Sequence, residues 1–168
     1  NIEKTKISAM NIKNSIEIPI VAAGGIASGN AIFAALGLGA DGVQIGSLFA
    51  TSKESSAHQN FKEYVINAKE NDTILTLKEL TPVRLLKNEF YSKIERAYRN
   101  NASVDDLKKI LGKGRAKKGI FEGDLKNGEL EIGQVSSFLN NILSVDEIFI
   151  NLVNEFNICR DLLSKIKL

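Results

Sequence analysis

Apolar residues fall into two kinds of pattern along this chain, and each predicts a different element. Two short apolar runs, Ile18 to Ala23 and Gly42 to Ile45, are too short for a helix, and each leads into glycine. The first, through Ile20, Val21, Ala22 and Ala23, has no polar alternation, the pattern of a parallel strand covered on both faces. Pro19 stands where a strand tolerates proline, at its entry. Between the two runs, Asn30 to Leu38 reads as a helix with Ser28 as its N-cap, so the unit is strand, helix, strand.

The remaining apolar residues recur at three to four and predict helices. They are expected over Ile2 to Asn14, as a turn at Ser47 to Ser52, and over Ser55 to Glu70. Ile74 to Leu77 reads as a short strand or an extended arm. Pro82 then suits the first turn of a helix running from Val83 to Arg99 on Leu85, Leu86, Phe90, Ile94 and Tyr98. Ser103 opens a capped helix with acids in its first turn and lysines in its last, closed by Gly112 and Gly114. Gly119 to Gly133 reads as a loop with turns, including Asn127-Gly128, and Gln134 to Asn141 as a short helix. A long helix covers Ser144 to Ile166, with a Ser144–Glu147 capping box and Ile148, Leu152, Phe156, Cys159, Leu163 and Ile166 on one face.

The two glycine-ended strands carry the chemistry. Gly24 with Gly25, and Gly46 with Ser47, allow a ligand close to the backbone, and helix N-termini beside them attract phosphate. Paired loops of this kind follow strands seven and eight of many parallel β/α barrels. A chain of 168 residues, 43% apolar, can bury a real core, yet it is short for a barrel of about 200 residues or more. It begins at Asn1 within a helical pattern, so it is expected to be the C-terminal part of a longer protein.

Charge changes the picture little. The net charge is +2 with both signs interspersed, which gives no case for a nucleic-acid or membrane partner. No apolar run approaches the ~18 residues of a membrane span. The single cysteine, Cys159, reads as a buried thiol in a cytoplasmic protein. The basic run Lys113 to Lys118 could face phosphate or nucleic acid, or be a solvated loop; no aromatic residue interleaves to stack bases. The single histidine, His58, stands at a helix start and reads as a cap or an exposed side chain rather than a general base.

An ordered series of blocks resembles the nitronate monooxygenase family, formerly 2-nitropropane dioxygenases, which includes the flavin-dependent enoyl-acyl carrier protein reductases of type II. The blocks are IPIVAAGGIASG from Ile18, LGADGVQIGSLFATSKES from Leu38, the Ala57 to Glu63 stretch, PVRLLKN from Pro82, FEGD from Phe121 and EIGQVSSFL from Glu131. The resemblance implies an α/β fold: the last two strands of a TIM-type (β/α)8 barrel with FMN phosphate loops, plus a helical subdomain. Barrel elements would occupy 1–80, the helical subdomain 81–128, and helices returning to the barrel 129–168. Its phosphate site carries over to Gly24, Gly25, Gln44, Ile45, Gly46 and Ser47; many members have threonine where this chain has Ser47.

The implied activity is oxidation of alkyl nitronates with O2. The alternatives are FMN- and NAD(P)H-dependent reduction of an enoyl thioester, or a flavin-free phosphate-binding barrel module. The implied partners are that small-molecule substrate, an N-terminal part of the same protein and, in some arrangements, a second copy in a homodimer. The family's catalytic histidine, in a Gly-Gly-His stretch upstream of the first block, has no counterpart here. The chain alone is therefore expected to be weak or inactive. Gln134 is either a polar contact near flavin or substrate, or a helix-start side chain facing solvent.

Overall fold

The computed structural model describes residues 18–166, and the helix expected over Ile2 to Asn14 lies outside them. The chain divides into two compact units, one ending at Gly46 and resuming at Val145, the other comprising Ser47–Ser144. These boundaries fall inside the first and third of the spans set out above.

In the first unit, β1 (Val21–Ala23) and β2 (Gly42–Gln44) pair in parallel, joined through helix α1 (Gly29–Gly37). Asp41 fixes the entry to β1 from both sides. Its amide donates to the Ile20 carbonyl at 2.8 Å, and its carboxylate accepts from the Ile20 amide at 2.8 Å. Ser28 caps α1 as its spacing predicts, its hydroxyl oxygen accepting from the Ala31 amide at 3.1 Å. The long helix α7 (Val145–Leu163) then lies against α1. Gly29 permits that approach, since a Cβ there would run into the Leu152 carbonyl and the Phe156 amide. The rings of Phe33 and Phe156 meet at 5.5 Å between centroids. Of the apolar face expected on this helix, Ile148 and Leu152 are buried, Phe156 and Cys159 are half-buried, and Leu163 and Ile166 are exposed.

The expectation that β1 is covered on both faces fails: Val21 is 56% exposed. Among the described residues β1 has only β2 as a sheet neighbour, so its apolar composition outruns the cover available.

The second unit begins with one helical turn, α2 (Ser47–Ala50), and then helix α3 (Gln59–Ile66), shorter than expected because His58 caps it three residues beyond Ser55. Strands β3 (Thr73–Thr76) and β4 (Val83–Leu86) form an antiparallel hairpin, followed by α4 (Glu89–Arg99), α5 (Val104–Leu111) and α6 (Arg115–Ile120). The helix expected from Val83 is therefore a strand for its first four residues. Leu85 and Leu86, both buried, are consecutive and face opposite ways, as a strand between two layers requires. The helix starts only at Asn88, whose carboxamide oxygen accepts from the Tyr91 amide at 2.9 Å. The same side chain donates to the carbonyls of Leu125 and Gly128, tying the return loop to the helix start.

Leu77, Leu85, Phe90, Ile94, Ala97 and Leu107 make the core under these helices. Residues 130–132 run along β4, with Leu86 donating to the Leu130 carbonyl and Ile132 to that of Arg84. A 3-10 helix (Gln134–Phe138) follows.

Candidate functional site

Parallel pairing places the two glycine loops. Ala23 opposite Gln44 is the last rung, so Gly24–Gly25 and Ile45–Gly46 leave the sheet side by side at the carboxyl end of the strands. That end is where open α/β sheets bind ligands. Gly24 and Gly25 have φ of 93° and 75°, a backbone that residues with a Cβ rarely adopt. A Cβ built at Gly24, Gly25 or Gly46 meets nothing within 4 Å. Among the described residues, no hydrogen bond beyond the strand pairing engages Gly25 or Gly46. Gln44 is exposed and Ile45 half-buried. The result is bare backbone around open space, which fits a phosphate-sized anion held by amides rather than by charged side chains.

The start of α1 is different. Its amides were expected to face a ligand, but Gly29 donates to the Glu155 carboxylate at 2.7 Å and Ala31 to Ser28. A carboxylate from α7 already satisfies the positive helix end, so an anion at the end of β1 is left to the Gly24–Gly25 loop. Nothing in the local sequence signals this, because Glu155 lies 126 residues away.

Ser47 follows Gly46 directly and begins α2. Its hydroxyl oxygen accepts from the Gly133 amide at 3.1 Å, so its proton remains to be donated. A Cβ on Gly133 would press on that oxygen at 2.7 Å. Downstream, the half-turn to α3 closes around Lys62, a 4% exposed side chain whose ammonium donates to the carbonyls of Ser55 and Lys53 at 2.8 and 3.2 Å.

His58 is half-buried, its Nδ1 accepting from the Asn60 amide at 3.1 Å and its ring lying where a Gly123 Cβ would be. The capping role read from the sequence is the one observed. An Nδ1 used as acceptor leaves the neutral ring with its proton on Nε2.

The run Lys113 to Lys118 is not a loop: α6 begins at Arg115. The Arg115 guanidinium donates to the carbonyls of Ile110, Leu111 and Asn127 and lies 4.9 Å over the Phe90 ring. It is an internal staple, unseen in sequence because its partners are carbonyls. Lys117 and Lys118 pair with Glu122 at 3.6 Å and with Asp124 at 3.1 Å, so neither is a lone cation. The Asn127 amide and the Lys118 ammonium hold the Asp124 carboxyl down at about 2. Gln134 is exposed at the start of the 3-10 helix. Among the described residues no helix is long and apolar enough to cross a membrane, and no three His, Cys, Asp or Glu side chains gather as metal ligands.

Known proteins resemble this chain in sequence and fold. A probable nitronate monooxygenase of Staphylococcus saprophyticus is 46% identical over 83 residues, which cover 48% of this chain and 23% of that protein. The structure of FabK from Thermotoga maritima matches 95% of this chain and 51% of its own at a TM-score of 0.82 and 32% identity. Nitroalkane oxidase from Streptomyces ansochromogenes matches 92% of this chain and 44% of its own at a TM-score of 0.70 and 29% identity. The chain thus spans about half the length of these solved structures and less of the curated relatives. Its fold is part of a β/α barrel, the α/β class expected from the sequence. A family model described as nitronate monooxygenase matches residues 3–155, almost the whole chain with both glycine loops inside it, and the chain belongs to that family.

Proposed function

We propose that the protein carrying this chain is an FMN-dependent oxidoreductase and that Gly24, Gly25, Gln44, Ile45, Gly46 and Ser47 hold the FMN phosphate. The observation that carries this reading is the parallel pair of glycine-ended strands with unfilled space above Gly24, Gly25 and Gly46. Bound flavin supplies the electron chemistry. This chain's part is positional. Loop amides at the two strand ends donate to the phosphate, and the Ser47 hydroxyl, already accepting from Gly133, donates its proton to a phosphate oxygen. No lysine or arginine lies between Pro19 and Ser52, so the hold is neutral and directional.

The reaction that the family points to is oxidation of an alkyl nitronate with O2. The likeness to FabK, together with the resemblance to the enoyl-acyl carrier protein reductases, supports a second reading: reduction of an enoyl thioester with NAD(P)H. No residue of this chain is assigned to proton transfer, since His58 is engaged as a cap. Steady-state assay of the protein with an alkyl nitronate under O2, and separately with NADH and an enoyl thioester, tests both. The expected outcome is a yellow protein that consumes O2 with nitronate in the absence of NADH. A colourless preparation that stays apo when FMN is added contradicts the flavin reading.

A further inference from the structure

A cavity of about 270 Å3 lies wholly within the Ser47–Ser144 unit and shares no residue with the proposed phosphate loops. Lys69, Glu70, Arg84, Gln134, Ser137 and Phe138 are among its lining residues. Arg84 projects from β4 and is half-buried, with one Nη donating to Thr73 Oγ1 at 3.1 Å. Among the described residues no carboxylate pairs with it, nor with the Lys69 ammonium. A half-buried guanidinium without a counter-ion has lost water without gaining an anion, and its planar fork suits phosphate. Beside it Phe138 is 71% exposed, a flat apolar face on the 3-10 helix that the core does not use. Glu70 offers a carboxylate, the group that accepts ribose hydroxyls in nucleotide sites, and Gln134 an exposed amide.

Two cations with no carboxylate partner among the described residues, an exposed ring, a carboxylate and an amide around one cavity are the recognition set of a nucleoside phosphate. We propose that this cavity binds one, with its phosphate on Arg84 and Lys69, its base stacked on Phe138 and its ribose on Glu70. The volume suits a mononucleotide-sized group, being just below the ~300 Å3 at which drug-sized pockets begin. Such a group is presented both by a free nucleotide and by the adenosine half of a dinucleotide.

Calorimetric titration of the protein with ADP, adenosine and inorganic phosphate tests this, in the native form and in Lys69→Ala, Phe138→Ala and Arg84→Gln. ADP is expected to bind at least about tenfold more tightly than adenosine or phosphate, and each of the two exposed-site variants to weaken it about tenfold. Binding of ADP that Gly25→Val leaves unchanged places it away from the proposed flavin loop, so failure of the flavin reading would not be mistaken for failure here. NADH displacing ADP supports the dinucleotide as the source, and ADP that NADH cannot displace supports a free nucleotide. The proposal is overturned if ADP does not bind, if phosphate alone binds as tightly, or if neither Lys69→Ala nor Phe138→Ala changes the affinity.

Discussion

Glu129 is 7% exposed on the segment that returns along β4, between Gly128 and Leu130, both buried. Burial pushes its carboxyl up to about 7, the Glu131 carboxylate adds to the rise, and Arg115 opposes it. In the unfolded chain the group titrates near its ordinary value of about 4.3. Folding therefore takes up a proton between these values, and stability falls as pH rises from about 4.5 to about 7. Asp124 runs the other way and outside that window: its contribution is present above about 4 and is lost only as pH falls toward about 2. Glu129→Gln, which stays neutral, should lose less stability than the native chain between pH 5 and pH 8, as read from thermal unfolding at both. Parallel pH dependence in the two would refute the assignment. At Ser47 the prediction is a structural one that needs no flavin. Ser47→Ala leaves the Gly133 amide without its acceptor and should cost about 1 kcal/mol in denaturant unfolding. Unchanged stability would mean that the bond is not formed.

At the scale of elements, the contact between α1 and α7 rests on one missing side chain. Gly29→Ala brings a gain in helix propensity of no more than about 1 kcal/mol, against overpacking of about 1–3 kcal/mol with backbone that cannot step aside. The steric term should win and lower the melting temperature; a stabilised variant would show that the helices stand further apart. The helix ends were legible wherever a local side chain makes them. Ser28 caps α1 as its place before the helix predicts, and Ser103 with Asp106 forms the capping box that its spacing allows. Val83 to Leu86 was not legible, because Leu85, Leu86 and Phe90 satisfy a helical period as well as a strand followed by a helix. Pairing with Thr73 to Thr76 decided it, and that pairing is not local. Helix α6 was hidden for a related reason: glycines at 112, 114 and 119 argue for loop, while Arg115 anchors the turn through distant carbonyls. The glycine loops were legible because glycine after a short apolar run has few other uses. The Gly133–Ser47 bond, 86 residues apart, and the Glu155 cap on α1 were not.

At the scale of the molecule, the chain supplies a parallel strand pair with its helices and a second unit that combines an antiparallel hairpin with helices. Membership of the nitronate monooxygenase family gives the pair its proposed use, as the cradle for a flavin phosphate. The central claim is that the backbone at Gly24–Gly25 and Gln44–Ser47 binds phosphate, and the phosphate is what distinguishes FMN from riboflavin. The measurement that isolates it is fluorescence titration of the apo-protein with FMN and with riboflavin, in the native form and in Gly25→Val. FMN should bind at least about tenfold more tightly than riboflavin to the native protein, as loss of even one hydrogen bond to a charged group implies, and Gly25→Val should erase most of that difference. Equal affinity of the native protein for the two flavins, or a difference that Gly25→Val leaves intact, would contradict the account.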